Sequence, residues 1–543
     1  MDYQFRTQPF EHQLSEWTGH REDRVRGIFW EQGTGKSKET IDQACWLYKA
    51  KRIDCLVIIA PDGVHSNWTA ITETPETWGE LQKHVPLDVP WLEFTFHSSK
   101  ASAKYHLARA DDVKAFEGLA VLSMTYDAAL TPTGKRVLWD FLRLRQCMMV
   151  LDESPRIKTP SAKRTRTLIA AGKYAPFKRI LSGTPVAESP FDVYAQIRFL
   201  DPEFWVRNGI QTFSAFKQEF AVLETFQQDD NGRWQKVDDS EEEESEPAQE
   251  GLYDYEDQTG AGWEKIEEKD RRNGVEFRRE AKHFQKVKEF KNLDRLKTLM
   301  DRVSTRVLKE DVLDLPEKLY QMRSFEMTRE QKRIYTELRE ECIAWLNSQE
   351  FVSGILPIVK LLRLQQITNG FTSPDGGEEV VDIPGGNPRL ELMREIADDV
   401  GKGHPHIIWA RFQRDIDLVA DAMRRDGFSV ATYDGRTGVE DRERAKRRFQ
   451  DGKLDKLVAN PAAAGEGLTL TSSNRSTYYS NSFRLMHRLQ SEDRNHRIGQ
   501  RWPVLYDDIV CPGTVDFKLV QALRSKMKVS AEVMGDKLRD WLI

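Results

Sequence analysis

At 543 residues the chain is too long for one hydrophobic core, so at least two domains are expected. No apolar run is long enough to span a bilayer, and the start "MDYQFRTQPFEHQ" has no basic-then-apolar leader pattern. Five scattered cysteines (Cys45, Cys55, Cys147, Cys342, Cys511) without a CxxC argue against a disulfide framework or a zinc site, and predict a reducing, intracellular compartment.

The net charge of -6 conceals an asymmetry. Residues 221–270 carry 18 Asp/Glu against 4 Lys/Arg, a local net of -14, which leaves +8 for the remainder. A mildly basic remainder permits a phosphate-binding groove.

In chain order, residues 1–200 alternate short apolar runs with amphipathic stretches. "DCLVIIAP" (54–61), "GLAVLSM" (118–124), "CMMVLDE" (147–153) and "RILSG" (179–183) predict buried strands, with a helical pattern at 136–145 between them. That alternation predicts a parallel sheet covered by helices. Residues 221–285 predict an acidic, partly disordered insertion, whose aromatics (Trp234, Tyr253, Tyr255, Trp263) leave room for a segment that docks a protein partner. Residues 286–385 predict a helical linker, including "TREQKRIYTELREECIAWL". A second strand–helix alternation fills 386–543, with "HIIWA", "SVATYDG", "KLVAN", "STYYSN" and "VLYDDIV" as strands. The fold class expected is α/β: one block at 1–220, another at 386–543, and an acidic and helical middle.

"GIFWEQGTGKSKET" places Gly33-Thr34-Gly35-Lys36-Ser37 after an apolar run and before a helix-compatible segment. A full phosphate loop has glycine four residues before the Gly-Lys pair, where this chain has Trp30. The remaining residues suffice for the chemistry. Gly33 and Gly35 let backbone N–H groups turn inward at a helix N-terminus, Lys36 reaches the β/γ-phosphates, and Ser37 ligates Mg²⁺. An ordinary Gly-rich turn with a capping serine is the alternative. A second strand ending in an acidic pair is then required, and "MMVLDE" supplies it: Asp152 for Mg²⁺ through water, Glu153 for the attacking water.

Further segments, taken in order, resemble the helicase-like ATPases of superfamily 2, specifically the Swi/Snf-type DNA translocases. "FEHQ" (10–13) resembles the motif that reads adenine, with Gln13 in the key place. "LVIIAPDGVHSNW" (56–68) resembles the first DNA-contact motif, "LDESPRIKTPSAKRT" the DEAH-type box, and "RILSGTPVAESPFDVYAQIRFLDP" (179–202) the coupling motif around Ser182 and Thr184. "LKEDVLDLPEK" and "LLRLQQITN" are similar to the family's lead-in to its second lobe. "HIIWARFQRDIDLVADAM", "ATYDGRTGVEDRERAKRRF", "AAAGEGLTLTSS" and "LQSEDRNHRIGQ" resemble its motifs, the last one close to QAxDRxHRxGQ.

The resemblance implies two RecA-like lobes, ATP and Mg²⁺ as cofactors, and DNA held by sequence-independent backbone contacts, double-stranded or forked. It implies an ATP hydrolase that acts as a monomer beside DNA, in the nucleoid or nucleus, with no membrane association. Arg494 and Arg497, three apart, would share a helix face and reach the γ-phosphoryl group, Arg497 as finger and Arg494 as partner, with Gln490 also facing the cleft. DNA contacts implied are Ser66, Trp68, Arg411, Gly435, Thr437, Gly467 and Thr469. The box departs from the family at Pro155, where histidine usually stands and helps link hydrolysis to the coupling motif, so coupling must lean on other residues such as Ser182. Ser154 and "AAGEGLTL" are most similar to the fork-remodelling, annealing-helicase branch. A strand-separating DNA or RNA helicase shares the same motifs, and Pro155 also admits an ATP-binding adaptor that does not hydrolyse.

Overall fold

The computed structural model describes residues 3–536 apart from 63, 74–77, 101–103, 229–233, 237–282, 348–354, 373–379, 464–467 and 535. Its first half is built on strands β1 (Val25–Trp30), β2 (Cys55–Ala60), β3 (Trp91–Phe96), β4 (Leu119–Thr125), β5 (Cys147–Asp152) and β6 (Phe177–Leu181). The apolar runs of β2, β5 and β6 are buried on both faces, as a parallel sheet demands. One face packs Phe29, Val57, Leu122 and Leu151, and the other packs Ile28, Ile58, Val121 and Val150.

Strands β7 (Ala221–Gln228), β8 (Trp234–Lys236) and β9 (His283–Phe290) follow. β7 and β9 pair antiparallel, from Ala221 opposite Phe290 to Gln227 opposite His283. The acidic insertion therefore leaves and returns along a ribbon; its expected disorder falls on 229–233 and 237–282, outside the described residues.

Next come β10 (Ser304–Val307), β11 (Lys318–Ser324), β12 (Phe371–Thr372) and β13 (Val381–Asp382). The second half adds β14 (His406–Trp409), β15 (Val430–Tyr433), β16 (Lys456–Ala459), β17 (Arg475–Tyr478) and β18 (Val504–Val510). The first sheet runs β10-β1-β6-β5-β2-β4-β3 and the second β11-β18-β17-β14-β16-β15. Every pairing within these two sheets is parallel. They are the two RecA-like lobes.

The boundaries differ from expectation in one respect. Residues 286–385 are not a helical linker alone, because β10 closes the edge of the first sheet and β11 the edge of the second. Only residues 308–317 connect the sheets. The C-terminal helix Val515–Met534 then returns: Leu519 and Leu523 pack on Leu485 in the second lobe, while Val533 and Met534 join the core of the first.

Candidate functional site

The loop between β1 and the helix Lys36–Lys49 carries two left-handed glycines, Gly33 (φ +85°) and Gly35 (φ +86°). At Gly35 a side chain is excluded twice, since a Cβ would also lie 2.1 Å from Gln13 Nε2. Gln13, on the helix Glu11–His20, donates to Gly35 O (3.1 Å) and Thr34 O (3.4 Å) and accepts from Phe10 N (2.9 Å). It braces the loop from outside. Thr34 Oγ1 donates to Glu31 O (2.7 Å), and half-buried Ser37 stands in the first helical turn.

The missing glycine has a structural reason. Trp30 ends β1 with its ring in the core, and its indole donates to Thr305 Oγ1 of β10 (3.1 Å). The loop turns only after it. Lys36 Nζ donates to Trp30 O (2.8 Å) and Glu31 O (3.2 Å), folded back into the loop. Burial lowers its pKa, against the pull of Glu153 and Asp152.

Asp152 and Glu153 stand at the end of β5, with β6 between them and the loop. Glu153 has a left-handed backbone (φ +54°), uncommon for a residue with a side chain and a mark of a site held by its surroundings. Its carboxylate accepts from Gln32 Nε2 of the loop (3.2 Å). Burial first, and the Asp152 charge second, push the Glu153 carboxyl up to about 7, while Lys36 and Arg494 oppose the shift. Burial also raises Asp152, against a hydrogen bond from Trp68 and the charge of Lys36.

Trp68 corrects an expectation. It is 1% exposed, and its Nε1 donates to Asp152 Oδ2 (3.0 Å). The side chain expected to touch DNA instead lies beneath the acidic pair and holds a carboxylate oxygen. Tyr126 Oη fixes the same turn by donating to Asp152 O (2.8 Å).

Ser182, fully buried after β6, accepts from Thr184 N through its hydroxyl (3.0 Å). Gly183 lies against Gln32, and its carbonyl accepts from Arg306 Nη1 (3.0 Å). The 182–184 turn thus abuts the residues that open the phosphate loop.

Arg494 and Arg497 do not share a helix face. The helix Leu485–Glu492 ends before them, and both sit in the turns that follow. They converge because both guanidinium groups donate to Leu468 O, at 3.4 and 3.2 Å. Burial pulls Arg494 down to about 10, with Asp493 and Glu153 favouring its charge. Arg497, also lowered by burial, is favoured by Asp493 and Glu80. The charge of Arg494 favours the ionised form of Glu153, and that of Glu153 the charged form of Arg494. Gln490 is half-buried on the preceding helix.

Lys309 was not among the residues singled out in the sequence. Its backbone N donates to Glu31 Oε2 (2.9 Å), and its Nζ donates to Asp493 Oδ1 (2.5 Å) and His496 O (3.0 Å). One buried lysine thereby joins the phosphate loop to the arginine-bearing turn. Its segment "LKEDVLDLPEK" resembles the lead-in to the second lobe, but nothing in it points to Asp493, 184 residues away.

The remaining predicted contacts lie on the second lobe, except Ser66 on the helix His65–Thr69, whose side chain is outside the described ones. Arg411 follows β14, donates to Gln365 Oε1 (3.2 Å) and stacks its guanidinium over Phe483 (5.1 Å). Gly435 is exposed after β15, with nothing within 4 Å of a Cβ placed there. Thr437 accepts from Asp434 N (3.1 Å), Thr469 is half-buried, and Gly467 lies outside the described residues.

Residues 10–370 match the SNF2-related domain, and residues 389–499 match the helicase conserved C-terminal domain. The SWI/SNF chromatin-remodeling complex subunit snf22 of Schizosaccharomyces pombe is 21% identical over 521 residues, covering 93% of this chain and 26% of that protein. Chromodomain-helicase-DNA-binding protein 1-like of Mus musculus is 22% identical over 522 residues, 93% of this chain and 47% of that one. The chain thus spans a quarter to a half of the length of these relatives. Among solved structures, the Sulfolobus solfataricus SWI2/SNF2 ATPase core in complex with dsDNA is similar at 20% identity and a TM-score of 0.37, over 98% of this chain and 96% of that one. Since the first of the two domain matches alone takes in more than half of the residues, the chain belongs to the SNF2-related family.

Proposed function

We propose that the chain is an ATP-dependent DNA translocase, coupling ATP hydrolysis to movement on double-stranded or forked DNA. The observation that carries this reading is convergence. Gln32 of the phosphate loop donates to Glu153 (3.2 Å), and Lys309 joins that same loop at Glu31 to Asp493, the residue before Arg494, in the second lobe. The N–H groups of 33–37, at the start of a helix, bind the phosphates, and Lys36 swings from its loop carbonyls to the β/γ oxygens.

The residues fit Mg²⁺. Asp152 is a buried carboxylate whose desolvation outweighs its partners, and Ser37, in the first turn of the helix after the loop, offers one hydroxyl. One carboxylate, one hydroxyl, phosphate oxygens and water are what this cation takes alongside a nucleotide. When bound, the ion neutralises charge on the β/γ oxygens. Glu153, with its raised basicity, orients the attacking water and takes a share of its proton. Arg494 and Arg497 stabilise charge developing on the transferred group, and Gln490 lines the nucleotide side. Gln13 reads the adenine edge, standing against the loop through Thr34 O and Gly35 O.

Opening and closing of the cleft moves the second lobe relative to a strand lying across both. Arg411, Gly435, Thr437 and Thr469 follow the strands of the second lobe or flank them, and with Ser66 and Gly467 are the proposed backbone contacts. Such contacts are sequence-independent and weaken with salt. On this reading the motor works as a single chain in a compartment that holds DNA; two of its relatives are named for chromatin remodelling and for DNA binding.

Turnover measured with duplex, forked and single-stranded DNA and with RNA tests the reading. Stimulation by duplex or forked DNA is expected. Stimulation by RNA alone would sink it, and ATP binding without turnover would favour a non-hydrolysing adaptor.

A further inference from the structure

The residue after the acidic pair, Ser154, is fully buried, and its Oγ donates to Gln196 Oε1 (2.7 Å). Gln196 is also fully buried, on the helix Val193–Leu200 among Val193, Ile197, Phe199 and Leu200. Its amide nitrogen donates to Pro185 O (2.8 Å) and Asp192 O (2.8 Å). A buried amide in an apolar helix is costly unless every polar atom is matched, and here each one is. The tie runs between the segment beginning at Glu153 and the far end of the 182–185 turn, which abuts the phosphate loop. Pro155, the next residue, has no side-chain group able to make such a link.

The tie continues outward. Asp192 Oδ2 accepts from Ala187 N (3.0 Å) and Glu188 N (2.7 Å), stiffening the 185–192 segment. The Glu188 carboxylate pairs with the ammonium of Lys526 on the C-terminal helix. Lys526 Nζ also donates to Phe483 O (3.1 Å), and the Phe483 ring carries the Arg411 guanidinium. An unbroken run of contacts therefore leads from beside Glu153 to a proposed DNA contact on the other lobe.

We propose that Gln196 is a positioning residue that couples the hydrolytic pair to the second lobe by clamping Ser154 to the 185–192 segment. This rests on the translocase reading above. Gln196 touches neither nucleotide nor DNA. It sets where the box and the turn stand relative to each other, and Glu188 with Lys526 hands that setting to the second lobe. A contiguous contact chain becomes a coupling route only when energetic coupling is measured along it.

The test uses the full chain and the variants Gln196→Met, Ser154→Ala, the two combined, and Lys526→Met. ATP turnover is recorded with and without saturating duplex DNA, alongside displacement of a triplex-forming strand per ATP consumed. The DNA-stimulated kcat should fall about ten-fold in Gln196→Met, with the KM for ATP and the basal rate within two-fold of the parent. More ATP should be consumed per displacement. Ser154→Ala should add nothing in the Gln196→Met background.

Equal loss of basal and stimulated rates, independent effects that multiply, or an unchanged stimulated rate would each overturn the proposal. Should Gln196→Met fail to fold, Ser154→Ala and Lys526→Met alone read the same link: both must lower stimulated but not basal turnover. A parent chain that hydrolyses ATP with no response to any DNA removes the translocase reading, and this proposal with it. A parent that responds while the variants behave like it removes the proposal alone.

Discussion

Replacing Lys309 by methionine keeps the length of the side chain and removes the charge that joins the two lobes. In the structure that ammonium is 2.5 Å from Asp493 Oδ1 and 3.0 Å from His496 O, in a buried setting that lowers its pKa while Asp493 opposes the shift. Removing one partner of a fully buried pair costs about 3–5 kcal/mol. Asp493 keeps 16% of its side chain exposed and still faces Arg494 and Arg497, so part of that cost is relieved. About 2 kcal/mol of cleft closure is then lost, which lowers the closed population about 30-fold if the open form dominates afterwards. The assay is DNA-saturated turnover: kcat falls by that factor, whereas the KM for ATP moves little because Lys36 and the loop are intact. Neutralising the partner as well, in Lys309→Met/Asp493→Asn, should recover part of the loss, with a coupling energy of about 1 kcal/mol or more. Single and double variants with additive effects, or an unchanged kcat, would refute the bridge.

Trp68→Phe removes the indole N–H from Asp152 Oδ2, a bond to a charged acceptor worth about 1.5–3 kcal/mol. The Mg²⁺ concentration for half-maximal turnover should rise, with the salt dependence of DNA affinity unchanged; a fall in that salt slope would show that Trp68 touches DNA after all. Asp415 predicts a pH effect on stability. Burial pushes its carboxyl up to about 7 from 3.8, so the folded chain holds a proton that the unfolded chain releases. Folding stability from this group therefore falls as pH rises from about 4 to 7 and is flat above, by at most about 4 kcal/mol. Asp415→Asn keeps acceptance from Asn369 and Ser480 and should flatten the profile, gaining on the parent at pH 8 but not at pH 4; parallel melting curves at both pH values would contradict this.

Sequence reading succeeded where chemistry and chain order coincide. The apolar runs of β2, β4, β5 and β6 announce themselves because a strand covered on both faces carries no polar alternation. Gly33 to Ser37 and the pair at 152–153 are local patterns, and they stand at the ends of β1 and β5, one strand apart in the sheet. Edge strands escaped: "STRV" of β10 and "KLYQMRS" of β11 are half-exposed and polar, so they read as linker. Arg494 and Arg497 were read at helical spacing, but the helix stops at Glu492 and a shared carbonyl gathers them instead. Trp68 looked like a surface residue because nothing local reveals Asp152, 84 positions away. Lys309, Ser154 and Gln196 all fall in motifs legible in the sequence, but their contacts were hidden for the same reason, since the partners that define them are not their neighbours in the chain.

Glu153→Gln tests the central claim most directly. It leaves the Gln32 contact an amide oxygen to donate to, and leaves the phosphate loop untouched, while removing the one carboxylate placed to take the proton of the attacking water. ATP turnover with saturating duplex DNA should drop by about 10²-fold or more, with ATP binding retained. A variant that hydrolyses ATP at the parent rate would contradict the assignment of this cleft as the hydrolytic site.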